Sequence, residues 1–91
     1  MTINKVYIIS DGEYYKIGFS KSPAKRLKQL QTGQPNTLKL IYQRATSNAR
    51  QIEKLLHTML RYTRARHNSE WFTIDGDLNW LYEYIDSIAK D

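Results

Sequence analysis

The sequence predicts an α+β domain: a small three-stranded antiparallel sheet flanked by helices, with a further helix at the C-terminal end. Three observations predict it. Two β-prone runs, Val6-Tyr7-Ile8-Ile9 and Tyr14-Tyr15-Lys16-Ile17, flank Ser10-Asp11-Gly12-Glu13, and Asp-Gly between such runs is a strong hairpin signal. Ile52, Leu55, Leu56, Met59 and Leu60 recur at i, i+3, i+4, i+7 and i+8, the spacing of one helix face. Leu78, Leu81, Tyr82, Ile85 and Ile88 repeat that period near the end of the chain.

Taken in order, the hairpin comes first. A two-residue Asp11-Gly12 turn pairs Ile9 with Tyr14, Ile8 with Tyr15 and Tyr7 with Lys16. Tyr7, Ile9, Tyr14 and Lys16 then share one face, and Val6, Ile8, Tyr15 and Ile17 share the other, more apolar one. Gly18 ends the second strand where a backbone can approach closely. Ser22-Pro23 starts a helix, with Ser as N-cap and Pro at the first helical position. That helix turns Leu27 and Leu30 toward a core and ends near Gly33. Gln34-Pro35-Asn36 is a loop, and Leu38–Arg44 reads as a third strand. Thr46-Ser47-Asn48 supplies capping residues for the helix that carries the long apolar stripe and frays into Arg61–His67. Glu70–Ile74 is a short strand or an extended plug. Asp75-Gly76-Asp77 turns the chain into the last helix, over 77–89.

Composition bounds the partners. Ninety-one residues, 41% of them hydrophobic, suffice for one folded domain and are too few for two cores. We therefore read residues 1–91 as a single domain with its core over 5–74. The chain has no cysteine, which excludes a disulfide framework and a thiolate metal site. It has no long apolar segment either, so neither a signal peptide nor a membrane span is expected, and the expected compartment is the cytoplasm. Residues 1–67 hold thirteen Lys and Arg against Asp11, Glu13 and Glu53, a net +10. Residues 68–91 hold Lys90 against six acids, a net −5. A basic body points to a polyanion, nucleic acid before membrane; the plainer reading is a basic surface that only confers solubility.

Four polar side chains stand out against that background. Glu53 is the single acid between Glu13 and Glu70, beside the apolar stripe and three residues before Leu56. Alone, each has an ordinary explanation. Glu53 could pair with His57 or Arg50 along its helix, Tyr7 could be a half-buried strand tyrosine, Lys16 could snorkel and Arg26 could be a surface arginine. Together they offer a carboxylate, a phenol, an ammonium and a guanidinium on different elements. That set suits phosphodiester cleavage. A carboxylate holds a hard divalent ion, cations neutralise charge developing on phosphate, and a phenol beside them orients or deprotonates water.

The order of these residues resembles the GIY-YIG nuclease superfamily. Val6-Tyr7 followed by Lys16-Ile17-Gly18 looks like its paired motif, and Arg26 and Glu53 follow in its order. YKIGFS, RLKQLQTG, IEKLLH and EWF are similar to the branch found in phages and in fungal meiotically up-regulated proteins. The likeness runs from about Lys5 to Phe72. It implies a metal-dependent endonuclease using one Mg²⁺ or Mn²⁺. Tyr7 would stand near the attacking water, Arg26 on the scissile phosphate and Glu53 on the metal, with His57 behind Glu53. Lys16 replaces the superfamily's second tyrosine, as in the phage branch, and could act on the water, on Tyr7 or on phosphate. Lys5 stands in place of the first glycine. Asn68 is the nearest candidate for the superfamily's late asparagine.

Lys21, Lys25, Lys28, Arg61, Arg64 and Arg66 are read as contacts to a phosphate backbone, against the alternative of solvated helix ends. Trp71 is either a base-stacking platform or, since Phe72 and Ile74 follow it, a core plug. The expected function is hydrolysis of nucleic acid, DNA before RNA, with sequence specificity either low or supplied by a homodimer or a partner protein. The rival readings on the same fold are a non-cleaving nucleic-acid-binding module and a phage regulatory or inhibitor protein.

Overall fold

Residues 3–61 and 71–90 are described by the computed structural model. They form strands β1 (Lys5–Ser10), β2 (Tyr15–Ser20), β3 (Lys39–Ala45) and β4 (Trp71–Phe72), with helices α1 (Pro23–Gln31), α2 (Ala49–Met59) and α3 (Asn79–Ile88). The sheet is antiparallel in the order β3-β1-β2-β4. The α+β class and the C-terminal helix are as expected. The sheet gains a two-residue fourth strand, because Trp71 and Phe72 pair with Lys16 and Tyr15 at its edge.

The hairpin register differs from the expected one. Tyr7 lies opposite Gly18, Ile8 opposite Ile17 and Ile9 opposite Lys16. The turn is centred on Gly12-Glu13, one residue later than Asp11-Gly12, and the side chains around it give the reason. Asp11 Oδ1 accepts from the amides of Glu13 (2.9 Å) and Tyr14 (2.7 Å), while Ser10 Oγ accepts from Gly12 N–H at 3.0 Å. Asp11 thereby serves as the anchor of the turn, and Gly12, with φ 101°, takes the first central position. A one-residue shift of the turn moves the pairing by two, so face membership is unchanged. Tyr7 and Lys16 still share a face, as diagonal neighbours and not as a directly opposed pair.

Both faces of β1 are buried. On one, Val6, Ile8, Ile17 and Phe72 pack against Ala49, Ile52, Leu56 and Leu60 of the α2 segment and Leu81 and Ile85 of α3. On the other, Tyr7, Ile9 and Leu38 are covered by Leu27, Leu30, Leu40 and Trp71. The face expected to be the more polar is thus roofed by α1. Ser22 caps that helix through Oγ, which accepts from Lys25 N–H, and Pro23 at its first turn is buried. Between Ile8 and Ile9 the β1–β3 pairing slips by a residue, leaving Ile41 as an exposed bulge.

The α2 stripe is narrower than its spacing suggests. Ile52, Leu56 and Leu60 are buried with Ala49, but Leu55 and Met59 are 41% and 43% exposed. The sheet beneath α2 covers one row, and Leu55 and Met59 fall on the flank away from Glu53 and His57.

Thr46-Ser47-Asn48 also departs from expectation. Asn48 occupies the N-cap position of α2, yet its side chain does not cap that helix. Its Nδ2 donates to the Ile88 carbonyl at 3.0 Å, its Oδ1 accepts from Lys90 N–H at 2.9 Å, and Thr46 Oγ1 donates to the Lys90 carbonyl at 2.6 Å. These groups satisfy the end of α3 and clamp it to the start of α2. Asn48→Ala should therefore destabilise the fold by about 1–3 kcal/mol, read from urea denaturation.

On β3, Tyr42 stacks on Tyr82 of α3 (centroids 4.8 Å apart, 7° between planes) and donates to Asp86 Oδ1 at 2.6 Å. Burial first, then the hydrogen bond and charge of Asp86, push the Tyr42 phenol well above its ordinary value. The native state therefore holds a proton that the unfolded chain loses near pH 10. This contribution is complete below that pH and is lost as pH rises above it. Denaturation midpoints measured from neutrality to alkali should fall above about pH 10, less steeply in Tyr42→Phe.

Candidate active site

Register decides what surrounds Tyr7. Because it lies opposite Gly18, its ring lies across a residue without a side chain. A Cβ on Gly18 would stand 2.5 Å from the phenolic oxygen and 2.6 Å from Cζ. Tyr7 is only 3% exposed, and its hydroxyl has no hydrogen-bond partner among the described residues. Lys16, on the same face, is 5% exposed and sets Nζ 5.9 Å from the centroid of the Trp71 ring.

Two helices reach this end of β2 from opposite faces of the sheet. From α1, whose Leu27 and Leu30 pack on the Tyr7 face, comes Arg26, half-buried, with Nη1 donating to Gln29 Oε1 at 3.3 Å. From α2 come Glu53 and His57, one turn apart beside the Ile52/Leu56 row. The Nε2 of His57 lies 2.8 Å from the Ile17 carbonyl and 3.5 Å from Glu53 Oε1. A carbonyl only accepts, so Nε2 carries a proton and donates it to Ile17. The imidazole also meets Phe72 edge-on, with centroids 4.9 Å apart. His57 thus braces α2 against β2, and its contact with Glu53 is the longer of the two.

Tyr7, Lys16, Arg26, Glu53 and His57 line one cleft of about 290 Å³, with Ile17, Gly18 and Phe19 of β2 between them. The five motif candidates for reacting or supporting groups that lie among the described residues meet there. Its place is the outer edge of β2, beyond the Lys16–Trp71 pair where the described pairing with β4 ends. Lys16 and Gly18 face α1, while Ile17 and Phe19 face α2. Among the described residues, the cleft combines an ammonium, a guanidinium, a phenol, an imidazole and one carboxylate.

Among the described residues no three of His, Cys, Asp and Glu converge on a point. Glu53 is the carboxylate of the cleft, a hard oxygen donor whose side chain is 25% exposed. That chemistry fits Mg²⁺ or Mn²⁺ held by one protein ligand, with water and phosphate completing the shell.

Lys25 and Lys28 lie exposed on α1 and Lys21 just before it; Arg61 is exposed beyond the end of α2. Arg64, Arg66 and Asn68 lie outside the described residues. Two features of the site escaped the sequence reading: Gly18 as the seat of the Tyr7 ring, and Trp71 beneath Lys16. The second had a signal. Period-two alternation puts Trp71 and Phe72 on opposite faces, so a buried Phe72 sends Trp71 to the face of Lys16.

No helix among the described residues is long and apolar enough to cross a membrane. A family profile, that of the T5orf172 domain, matches residues 4–90. No curated protein and no solved structure matches the chain significantly.

Proposed function

The chain belongs to the T5orf172 domain family, and from that premise we propose that it is a metal-dependent endonuclease of GIY-YIG type, hydrolysing phosphodiester bonds in nucleic acid, DNA before RNA. One observation carries the reading: Tyr7, Lys16, Arg26, Glu53 and His57, drawn from β1, β2, α1 and α2, line the same cleft. The motif order Val6-Tyr7, Lys16-Ile17-Gly18, Arg26 and Glu53 supports it, as does the likeness to the phage and fungal branch.

Each group then has a part. Arg26 and Lys16 neutralise charge that grows on the phosphoryl oxygens as water attacks. The Tyr7 phenol, which has no other partner among the described residues, orients that water. Glu53 would hold one Mg²⁺ or Mn²⁺, which supplies Lewis-acid polarisation of the phosphate and a more acidic bound water. His57 fixes the α2 turn from which Glu53 projects. Lys21, Lys25, Lys28 and Arg61 extend positive charge beyond the cleft for the flanking backbone, and a cytoplasmic setting and a second copy or partner protein for specificity belong to the same proposal.

The test is incubation with supercoiled, linear and branched DNA, with and without Mg²⁺ or Mn²⁺. Nicks should appear only with the divalent ion, and binding should weaken steeply between low and physiological salt. Salt-sensitive binding with no cleavage under any divalent metal would replace this reading with that of a binding module.

A further inference from the structure

We propose that Trp71 is a positioning residue of the cleft, holding the Lys16 ammonium where it meets a phosphodiester. The inference rests on the nucleic-acid reading of the site. Lys16 is a buried lysine on a strand, where a flexible four-carbon stem could place its charge in many ways. Its Nζ lies over the Trp71 ring, and Trp71 is its direct partner across the β2–β4 pair. An indole face is the best aromatic partner for an ammonium, and the attraction grows as water is excluded. Here water is largely excluded, with Lys16 at 5% exposure.

The backbone pairing fixes the geometry of this contact. Hydrogen-bonded register sets the two Cα positions, and the ring packs against the Tyr7, Ile9 and Leu38 cluster, which holds it in place. The indole, partly buried, therefore has one side taken up by Lys16. This role differs from stacking, in which the ring itself would touch the nucleic acid; the paired variants below separate the two. Phe72, facing the other way, does the core work of the same two-residue strand.

Two measurements on the full chain test this. In the first, the Lys16 ε-methylene signals of the wild type should be shifted upfield by the indole ring current and should return to ordinary lysine positions in Trp71→Leu. The second is binding to a short DNA duplex across a salt series without divalent metal. Lys16→Met should reduce the slope of log affinity against log salt by about one. Trp71→Leu should weaken binding about fivefold, a modest cation–π effect, while Trp71→Phe retains most of the affinity. In the Lys16→Met background, Trp71→Leu should cost nothing further.

Unshifted Lys16 signals in the wild type overturn the proposal. An equal loss from Trp71→Leu in both backgrounds also overturns it, since the ring would then contact DNA or merely support the fold. A wild type that binds no duplex at low salt defeats the nuclease reading, and the ring-current shift then decides the Lys16–Trp71 contact by itself.

Discussion

Glu53→Gln should lower DNA cleavage about a thousandfold, the several kcal/mol that Lewis-acid stabilisation of a transferring phosphoryl group supplies. The substitution keeps shape and removes the charge. Glu53 flanks the buried Ile52/Leu56 row and does not fill it, so melting should change little. Its nearest partner, Nε2 of His57, keeps its 2.8 Å bond to the Ile17 carbonyl whether or not the carboxylate is present. Affinity for DNA without divalent ion should hold or rise slightly, because a negative charge leaves a cationic cleft. Nicking rates of folded wild type and variant, with circular dichroism as the control, settle the matter. Equal rates would show that the metal, if any, is held elsewhere.

Gly18→Ala should be nearly as damaging to turnover, for a steric reason. The new methyl would lie 2.5 Å from the Tyr7 oxygen and 2.6 Å from Cζ, well inside contact distance. Either the ring leaves its seat or β2 bends. Overpacking of this kind costs about 1–3 kcal/mol in stability, whereas a reacting group displaced by an ångström loses about a hundredfold in rate. The expected result is a folded protein with a modestly lowered melting temperature and almost no cleavage. Tyr7→Phe, which removes one oxygen with little change in packing, should give the same loss of rate with smaller loss of stability. A Gly18→Ala protein that cuts at wild-type rate would mean that the phenol is not part of the reacting set.

Local physics carried most of what could be read ahead of the structure. Ser22-Pro23 marks a helix start and does cap α1, and the period of Leu78, Leu81 and Ile85 does bury one face of α3. That Tyr7, Lys16, Arg26 and Glu53 line one cleft was foreshadowed by their motif order, although they stand on four different elements. Register was not legible from Asp11-Gly12, since either residue could enter the turn; the bonds from Asp11 Oδ1 to two amides decide it. The assignment of faces survived that change only because strand pairing moved by an even number of residues. Asn48 misled for a different reason. Its partners, Ile88 and Lys90, are some forty positions away in sequence, and no local spacing announces such a bond. Leu55 and Met59 share the period of the buried row, and which side of a helix has a neighbour is a tertiary fact.

The position of the cleft at a sheet margin has a topological consequence. A site sunk in the face of a sheet under two helices would admit a polymer only by an end. Here the cleft takes its floor from Lys16–Phe19 of β2, with α1 contributing Arg26 from one side and α2 contributing Glu53 from the other. If the cleft takes nucleic acid as proposed, a strand entering it from the side of the sheet would need no free end and no threading. On the proposed nuclease reading, a covalently closed circle should then be cut as well as a linear fragment, with cuts in the interior of a chain as readily as near its ends; degradation from the ends alone, with circles left intact, would overturn that expectation.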